Sequence, residues 1–322
     1  MLKTKHVVLC MLVAFQSNAE IELYADETKS VLLTGGIDTY ADLFRESESD
    51  NPEQEKSEDF DLYIEAYAEF QFSHQLTEGL MTFGAFEIYS FEDEFEERTT
   101  ELDDVYVGVS GQYGTFYLGE AEDSVDVVGL LTDISNDGVY AIDSLYEEEG
   151  KGVKYEFVYN DTFLFSADMQ DSGEDDIDRE YSTAISYQTD NFNVSAMYTD
   201  AGDFMGFDLN AYAVGAAYRN ETFYVGAIYS DYNGPYSQGN GYFMSGQSWS
   251  FAGSYTMNGI RGYTTVLLDN DEDSNASATA YTIGVDYLVH DDMLIFAEYT
   301  GSSHDVDDWT TSSGVVGVFY KF

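Results

Sequence analysis

The stretch DFDLYIEAYAEFQFSHQLTEGLMTFGAFEIYSF, residues Asp59–Phe91, decides how this chain folds. Its first half alternates without a break. Leu62, Ile64, Ala66, Ala68, Phe70 and Phe72 share one face, and Tyr63, Glu65, Tyr67, Glu69 and Gln71 share the other. A period of two over a dozen residues is a strand, because successive side chains of an extended chain point to opposite faces. His74–Gly79 then reads as a tight turn, and Leu80–Phe91 as the return strand. One face is wholly apolar and the other charged. A soluble sandwich also alternates in this way, so the loops around the hairpin have to separate the two.

Working outward, the same unit recurs. Strands are expected at Val31–Arg45, Glu101–Ser110, Thr115–Gly119, Lys151–Tyr159, Thr162–Met169, Glu180–Gln188, Phe192–Tyr198 and Leu209–Tyr218. They continue at Thr222–Tyr229, Tyr242–Tyr255, Arg261–Leu268, Ala278–Val289, Leu294–Tyr299 and Gly314–Phe322, which with the opening hairpin makes sixteen. Short turns such as Asn160-Asp161 and Met257-Asn258-Gly259 alternate with long acidic loops. Short turns at one end and long loops at the other are the arrangement of an outer-membrane barrel. Strands of about 9–11 residues suit a tilted crossing of the bilayer. The fold class expected is therefore all-β: a transmembrane antiparallel β-barrel of 16 strands.

Composition agrees. The chain holds 28 Tyr and 22 Phe but only two prolines, which favours strands and argues against the disorder its acidity would otherwise suggest. Residues 1–19 read as a secretory leader: Lys3, Lys5 and His6, then an apolar run from Val7 to Phe15, then Ser17-Asn18-Ala19. The expected division is signal peptide 1–19 and barrel domain 20–322. Cys10, the single cysteine, lies in the leader, so no disulfide is expected. No later segment has the run of apolar residues that a membrane helix needs. Without Lys3 and Lys5, the 12 bases fall to 10 against 62 acids, a formal charge of −52. Such a chain repels nucleic acid.

One segment breaks the rhythm. Glu120–Gly150, EAEDSVDVVGLLTDISNDGVYAIDSLYEEEG, is rich in acids and contains no base. Glu122, Asp123, Asp126, Asp133, Asp137 and Asp143 follow Glu120, with Val127, Val128, Leu130 and Leu131 among them. The expectation is a loop folded into the barrel, packed by its apolar residues, with carboxylates lining a constriction. The wall facing it is expected to carry Tyr63, Glu65, Glu69, Asp104, Lys151 and Lys154. Carboxylates in excess over bases select cations.

Several short stretches resemble the general (non-specific) trimeric porins of Gram-negative bacteria. They are Glu22-Leu23-Tyr24-Ala25-Asp26, Leu33-Thr34-Gly35-Gly36-Ile37-Asp38, Gln75-Leu76-Thr77, Tyr113-Gly114-Thr115-Phe116-Tyr117-Leu118-Gly119, Gly152-Val153-Lys154-Tyr155 and Val318-Phe319-Tyr320-Lys321-Phe322. Their order and spacing span the chain after the leader. The resemblance implies a homotrimer in contact with outer-membrane lipid and lipopolysaccharide, passing small hydrophilic solutes. It implies that the barrel assembly machinery reads Phe322 and that the third loop forms the constriction. It also implies a cluster of wall arginines facing that loop, and here the sequence departs. Glu120 stands where an arginine is usual, and the second-strand wall position falls near Tyr63. Lys151, Lys154 and Arg98 remain as candidates for positive wall charge.

Other chemistry finds no support. Asp269–Ser274 begins like a calcium loop, but its twelfth position is Ala280 where a bidentate Glu is needed. His74, His290 and His304 do not pair, so no metal is expected, and no cofactor is implied. No catalytic constellation points to an enzyme. Two alternatives on the same barrel stay open: an acidic surface protein binding a host, phage or divalent ions, and a substrate-specific channel whose aromatic line begins at Tyr63 and Tyr67.

Overall fold

The computed structural model of this chain describes residues 20–48, 56–92, 98–136, 151–171, 179–204, 207–238, 241–271, 276–305 and 309–322. Within them the chain forms one antiparallel sheet closed on itself. The first strands are β1 (Ile21–Ala25), β2 (Lys29–Glu48), β3 (Lys56–Thr77), β4 (Leu80–Glu92), β5 (Arg98–Gly111) and β6 (Gly114–Gly119). A single helical turn, α1 (Asp126–Gly129), follows. Next come β7 (Lys151–Tyr159), β8 (Phe163–Asp171), β9 (Glu180–Gln188), β10 (Phe192–Phe204), β11 (Phe207–Arg219) and β12 (Phe223–Gln238). The last are β13 (Gly241–Met257), β14 (Ile260–Asp271), β15 (Ser277–His290), β16 (Met293–His304) and β17 (Trp309–Lys321).

From β2 onward each strand pairs with its successor, and β17 pairs back onto β2. β1 is the strand beyond the expected set. It lies along Ser30–Leu33 of β2, on the edge that β17 uses from Gly36 to Glu48. β1 and β17 therefore share one row, and the barrel has the expected sixteen rows. At the seam Phe322 and Gly35 exchange backbone hydrogen bonds of 2.8 and 2.9 Å.

The alternation seen in the sequence has a physical counterpart on every wall. On β14, Arg261, Tyr263, Thr265, Leu267, Asp269 and Asp271 point inward and are buried, while Ile260, Thr264 and Leu268 point outward. Leu62, Ile64, Phe72, Leu102 and Val107 are exposed on the outer face. Large apolar side chains bared in a continuous band suit a lipid solvent. Two of the short turns are of the primed kind. Asn160 and Asp161 have φ of 54° and 52°, and Asn258-Gly259 has 55° and 78°, which matches the right-handed twist of the strands they join.

Several strands run further than expected. β10 continues to Phe204, and β12 runs through Pro235 to Gln238, where loops were expected. Backbone ladders need no apolar side chains, so a hairpin continues past the bilayer once its polar residues pair, as Asp200 does with Asn210. Pro235 is tolerated because the register shifts between Asn233 and Tyr236.

Candidate functional site

The segment from Ala121 to Asn136 lies inside the barrel. It leaves the wall at Gly119, whose φ is +133° and where a Cβ would stand 2.2 Å from the Val105 carbonyl oxygen. Only glycine fits such a bend. The Gln170 side chain then donates to the Ala121 carbonyl at 3.3 Å. Asp123 Oδ1 accepts from the amides of Val125 (2.7 Å) and Asp126 (3.3 Å), closing the turn that starts α1. The Ser124 amide donates to Asp168 Oδ1 at 2.7 Å, and its hydroxyl meets that of Ser166 at 2.7 Å.

Beyond this polar anchor, Val125, Val128, Leu131 and Ile134 pack onto the inner wall of β9–β14. That wall is built from small side chains. Ala184, Ala211, Ala213 and Ala252 are buried beneath the segment. Full burial of each large apolar residue stabilises the docked segment by about 1.5–3 kcal/mol. Tyr224 donates its hydroxyl to the Leu131 carbonyl at 2.7 Å.

The far end is clamped to β14–β16. The Asn136 amide donates to Glu298 Oε1 at 2.6 Å, and its side chain donates to the Tyr263 hydroxyl at 2.7 Å and to Asp286 at 3.4 Å. Tyr263 donates in turn to Glu298. Arg261 holds Asp286 through Nε at 2.7 Å and Nη2 at 2.5 Å, and lies over the Tyr263 ring at 4.5 Å. The segment thus spans from β6 to β16 through the lumen, the arrangement expected of an inward-folded third loop.

The opposite wall is β2–β5. Tyr63, Glu65 and Glu69 lie on the inward face of β3, opposite the exposed Leu62 and Ile64. Tyr40 of β2, on the same face, stacks on Tyr63 (ring centroids 5.1 Å apart) and donates to Glu65 at 2.9 Å. Glu69 accepts from Thr34 at 3.2 Å and Gln71 at 2.9 Å. Asp104 sits in a bulge of β5 with φ of 50°, where it feels the charges of Asp103 and Glu122.

Of the expected constriction residues, Glu122 is exposed and Asp126 and Asp133 are half-buried. Asp123 is buried and holds the turn described above. Asp137 and Asp143 lie outside the described residues. Glu120 and Lys151 pair with each other at 3.2 Å. They border a cleft of about 540 Å³ with Leu102, Leu118 and Val153, whose side chains face outward. Register explains this. Gly119 pairs with Gly152 on the inward parity, so Glu120 after the one and Lys151 before the other fall on the outward parity. Lys154 does face inward, but it is buried and bound to Glu156 at 3.1 Å, with Tyr117 beside it. Arg98 donates to the Ile64 carbonyl at 3.3 Å.

Sequence reasoning did not single out Asp38, Tyr40, Tyr89, Tyr224, Tyr263, Asp286, Asn136 or Glu298 for the site. For the strand residues the signal was present in their parity. Tyr40 pairs with Tyr63 and Asp38 with Glu65, so each inherits its partner's lumen-facing side.

Comparisons with known proteins follow this geometry. The model of one family, Gram-negative porin, matches residues 7–307. No curated protein matches. Among solved structures, OmpF of Salmonella typhi, in complex with daunomycin, superposes with a TM-score of 0.72 at 16% identity, covering 94% of this chain and 100% of that one. An anion-selective porin from Comamonas acidovorans gives 0.73 at 12% identity, covering 91% and 100%. The trimer form of OmpT from Vibrio cholerae gives 0.64 at 15% identity, covering 89% and 99%. At these identities the likeness is one of fold.

Proposed function

The chain belongs to the Gram-negative porin family, a multi-pass barrel of the outer membrane, and from that premise we propose that it is a passive water-filled channel preferring small cations to anions. A barrel of sixteen rows leaves an aqueous lumen. The observation that carries the cation preference is the pairing of two buried lumen bases. Lys154 is held by Glu156 and Arg261 by Asp286, while Glu65, Glu69, Asp104 and Glu122 add negative charge. A lumen with carboxylates in excess lowers the barrier for cations and raises it for anions.

The outer face supports a homotrimer. On β7–β17, Tyr155, Tyr181, Tyr187, Tyr198, Tyr212 and Trp249 are exposed, as expected of interfacial belts. On β2–β6 the tyrosines (Tyr40, Tyr63, Tyr67, Tyr89, Tyr106 and Tyr117) have lumen-facing parity, and the outer face is mostly Leu, Ile, Val, Phe and Ala. A wall whose strand tyrosines turn inward is suited to contact with other copies. Phe322 as the assembly signal, contact with lipopolysaccharide and residues 1–19 as a cleaved leader belong to the same proposal.

Planar-bilayer recording of the purified protein tests it. In a potassium chloride gradient the reversal potential is expected to give a cation-to-anion permeability ratio above one. A ratio at or below one removes the cation preference.

A further inference from the structure

The inner face of β2–β5 is ruled into alternating rungs of tyrosine and carboxylate. Tyr40 pairs with Tyr63, Asp38 with Glu65, Gly36 with Tyr67, and Thr34 with Glu69. The pattern continues onto β4, where Tyr89 pairs with Tyr67 and Glu87 with Glu69. Rungs two residues apart along a strand are separated by roughly 6.5–7 Å.

The centre of the pattern is Tyr67. Its strand neighbours on the same face are Glu65 and Glu69. Asp38, Glu69 and Glu87 all act electrostatically on its hydroxyl. Across from it is Gly36, and a Cβ there would stand 2.7–2.9 Å from Tyr67 ring and hydroxyl atoms. The ring therefore lies down on the Gly36 backbone, on the lumen-facing side of the sheet. Lys321, which pairs with Gly36 from β17, is a base near this wall and acts on Asp38.

We infer that this wall is a binding track for organic ammonium ions, the Tyr67 ring taking the cationic head and Glu65 and Glu69 supplying countercharge on either side. The inference rests on the cation-preferring reading above and names a solute class for it. The chemistry discriminates among cations. A potassium ion is strongly hydrated and gains little from a ring face. A quaternary ammonium sheds water easily and is held by the ring quadrupole. A neutral sugar could stack on the same ring but would gain nothing from the flanking charges.

The test is block of potassium current through the purified protein in a planar bilayer, with choline chloride as probe and maltose as the neutral control. Choline is expected to reduce the current in a saturable way. Tyr67→Leu raises the half-blocking concentration about fivefold, whereas Tyr67→Phe keeps it, since the ring and not the hydroxyl does the binding. The potassium-to-chloride ratio stays the same in all three proteins. Should Tyr67→Leu fail to insert, Glu65→Gln with Glu69→Gln takes its place: with the countercharge gone it too raises the half-blocking concentration, and an unchanged value overturns the track. Absence of choline block, equal block of wild type and the leucine variant, or block by maltose equal to that by choline each overturns the track. A potassium-to-chloride ratio at or below one in wild type instead overturns the cation preference beneath it.

Discussion

The Leu131 carbonyl oxygen occupies the place a side chain would take at Gly226: a Cβ there would stand 2.0 Å from it. The two residues are far apart in sequence, and their contact shows how closely the lumen segment lies on β12. A methyl at Gly226 must push the segment off the wall and weaken the hydrogen bond from Tyr224 to the same carbonyl. Gly226→Ala is expected to cost about 1–3 kcal/mol, as overpacking does. It should also change single-channel conductance, because the displaced segment moves into the water path. Conductance and thermal unfolding both identical to wild type would mean that the segment does not rest on β12.

The other end of the segment depends on Glu298, which accepts from the Asn136 amide and from Tyr263. Glu298→Ala leaves two donors without their acceptor, at about 1–3 kcal/mol each. The expected readout is open-channel current noise, raised because the tip is no longer held, with the barrel itself still folded. A quiet channel in Glu298→Ala would show that the anchor at Ser124 and Asp168 holds the segment by itself.

Charge reversal separates the lumen from the outer face. Tyr63→Arg puts a cation on the wall beside Glu65 and should lower the cation-to-anion ratio severalfold. Glu120→Arg exchanges a charge paired with the exposed Lys151 beside an outward cleft, so its effect on the ratio should be clearly smaller. Reversal potentials of both variants at about 0.1 M salt, where screening acts over roughly 10 Å, make the comparison. A larger shift from Glu120→Arg than from Tyr63→Arg would place Glu120 on the permeation path.

Much of this architecture is legible in the alternation of residues such as Leu62 to Phe72, because lipid on one side and water on the other impose opposite chemistry on successive side chains. The loop from Glu120 was legible as an interruption. Its docking surface was not. Ala211, Ala213, Gly215 and Gly226 read as ordinary small strand residues, and only the fold reveals that they make a bed for Leu131. Glu120 misled because its side is fixed by register after Gly119, which composition does not express. β1 was not among the sixteen expected strands, since nothing local indicates that it completes the row of a strand from the other end of the chain.

The acid side of the pH scale gives the sharpest test of what the carboxylates do. A carboxyl in water titrates near pH 4, so cation preference should weaken as the pH falls from neutral to about 3. The sign follows from the charges: protonation removes anions from the lumen and leaves its bases. The permeability ratio is therefore expected to fall toward one as the pH is lowered. Glu65→Gln with Glu69→Gln should lower the ratio at pH 7 and flatten its fall, because fewer carboxyls remain to be titrated. A ratio that stays flat from pH 7 to pH 3 would show that lumen carboxylates do not set the selectivity.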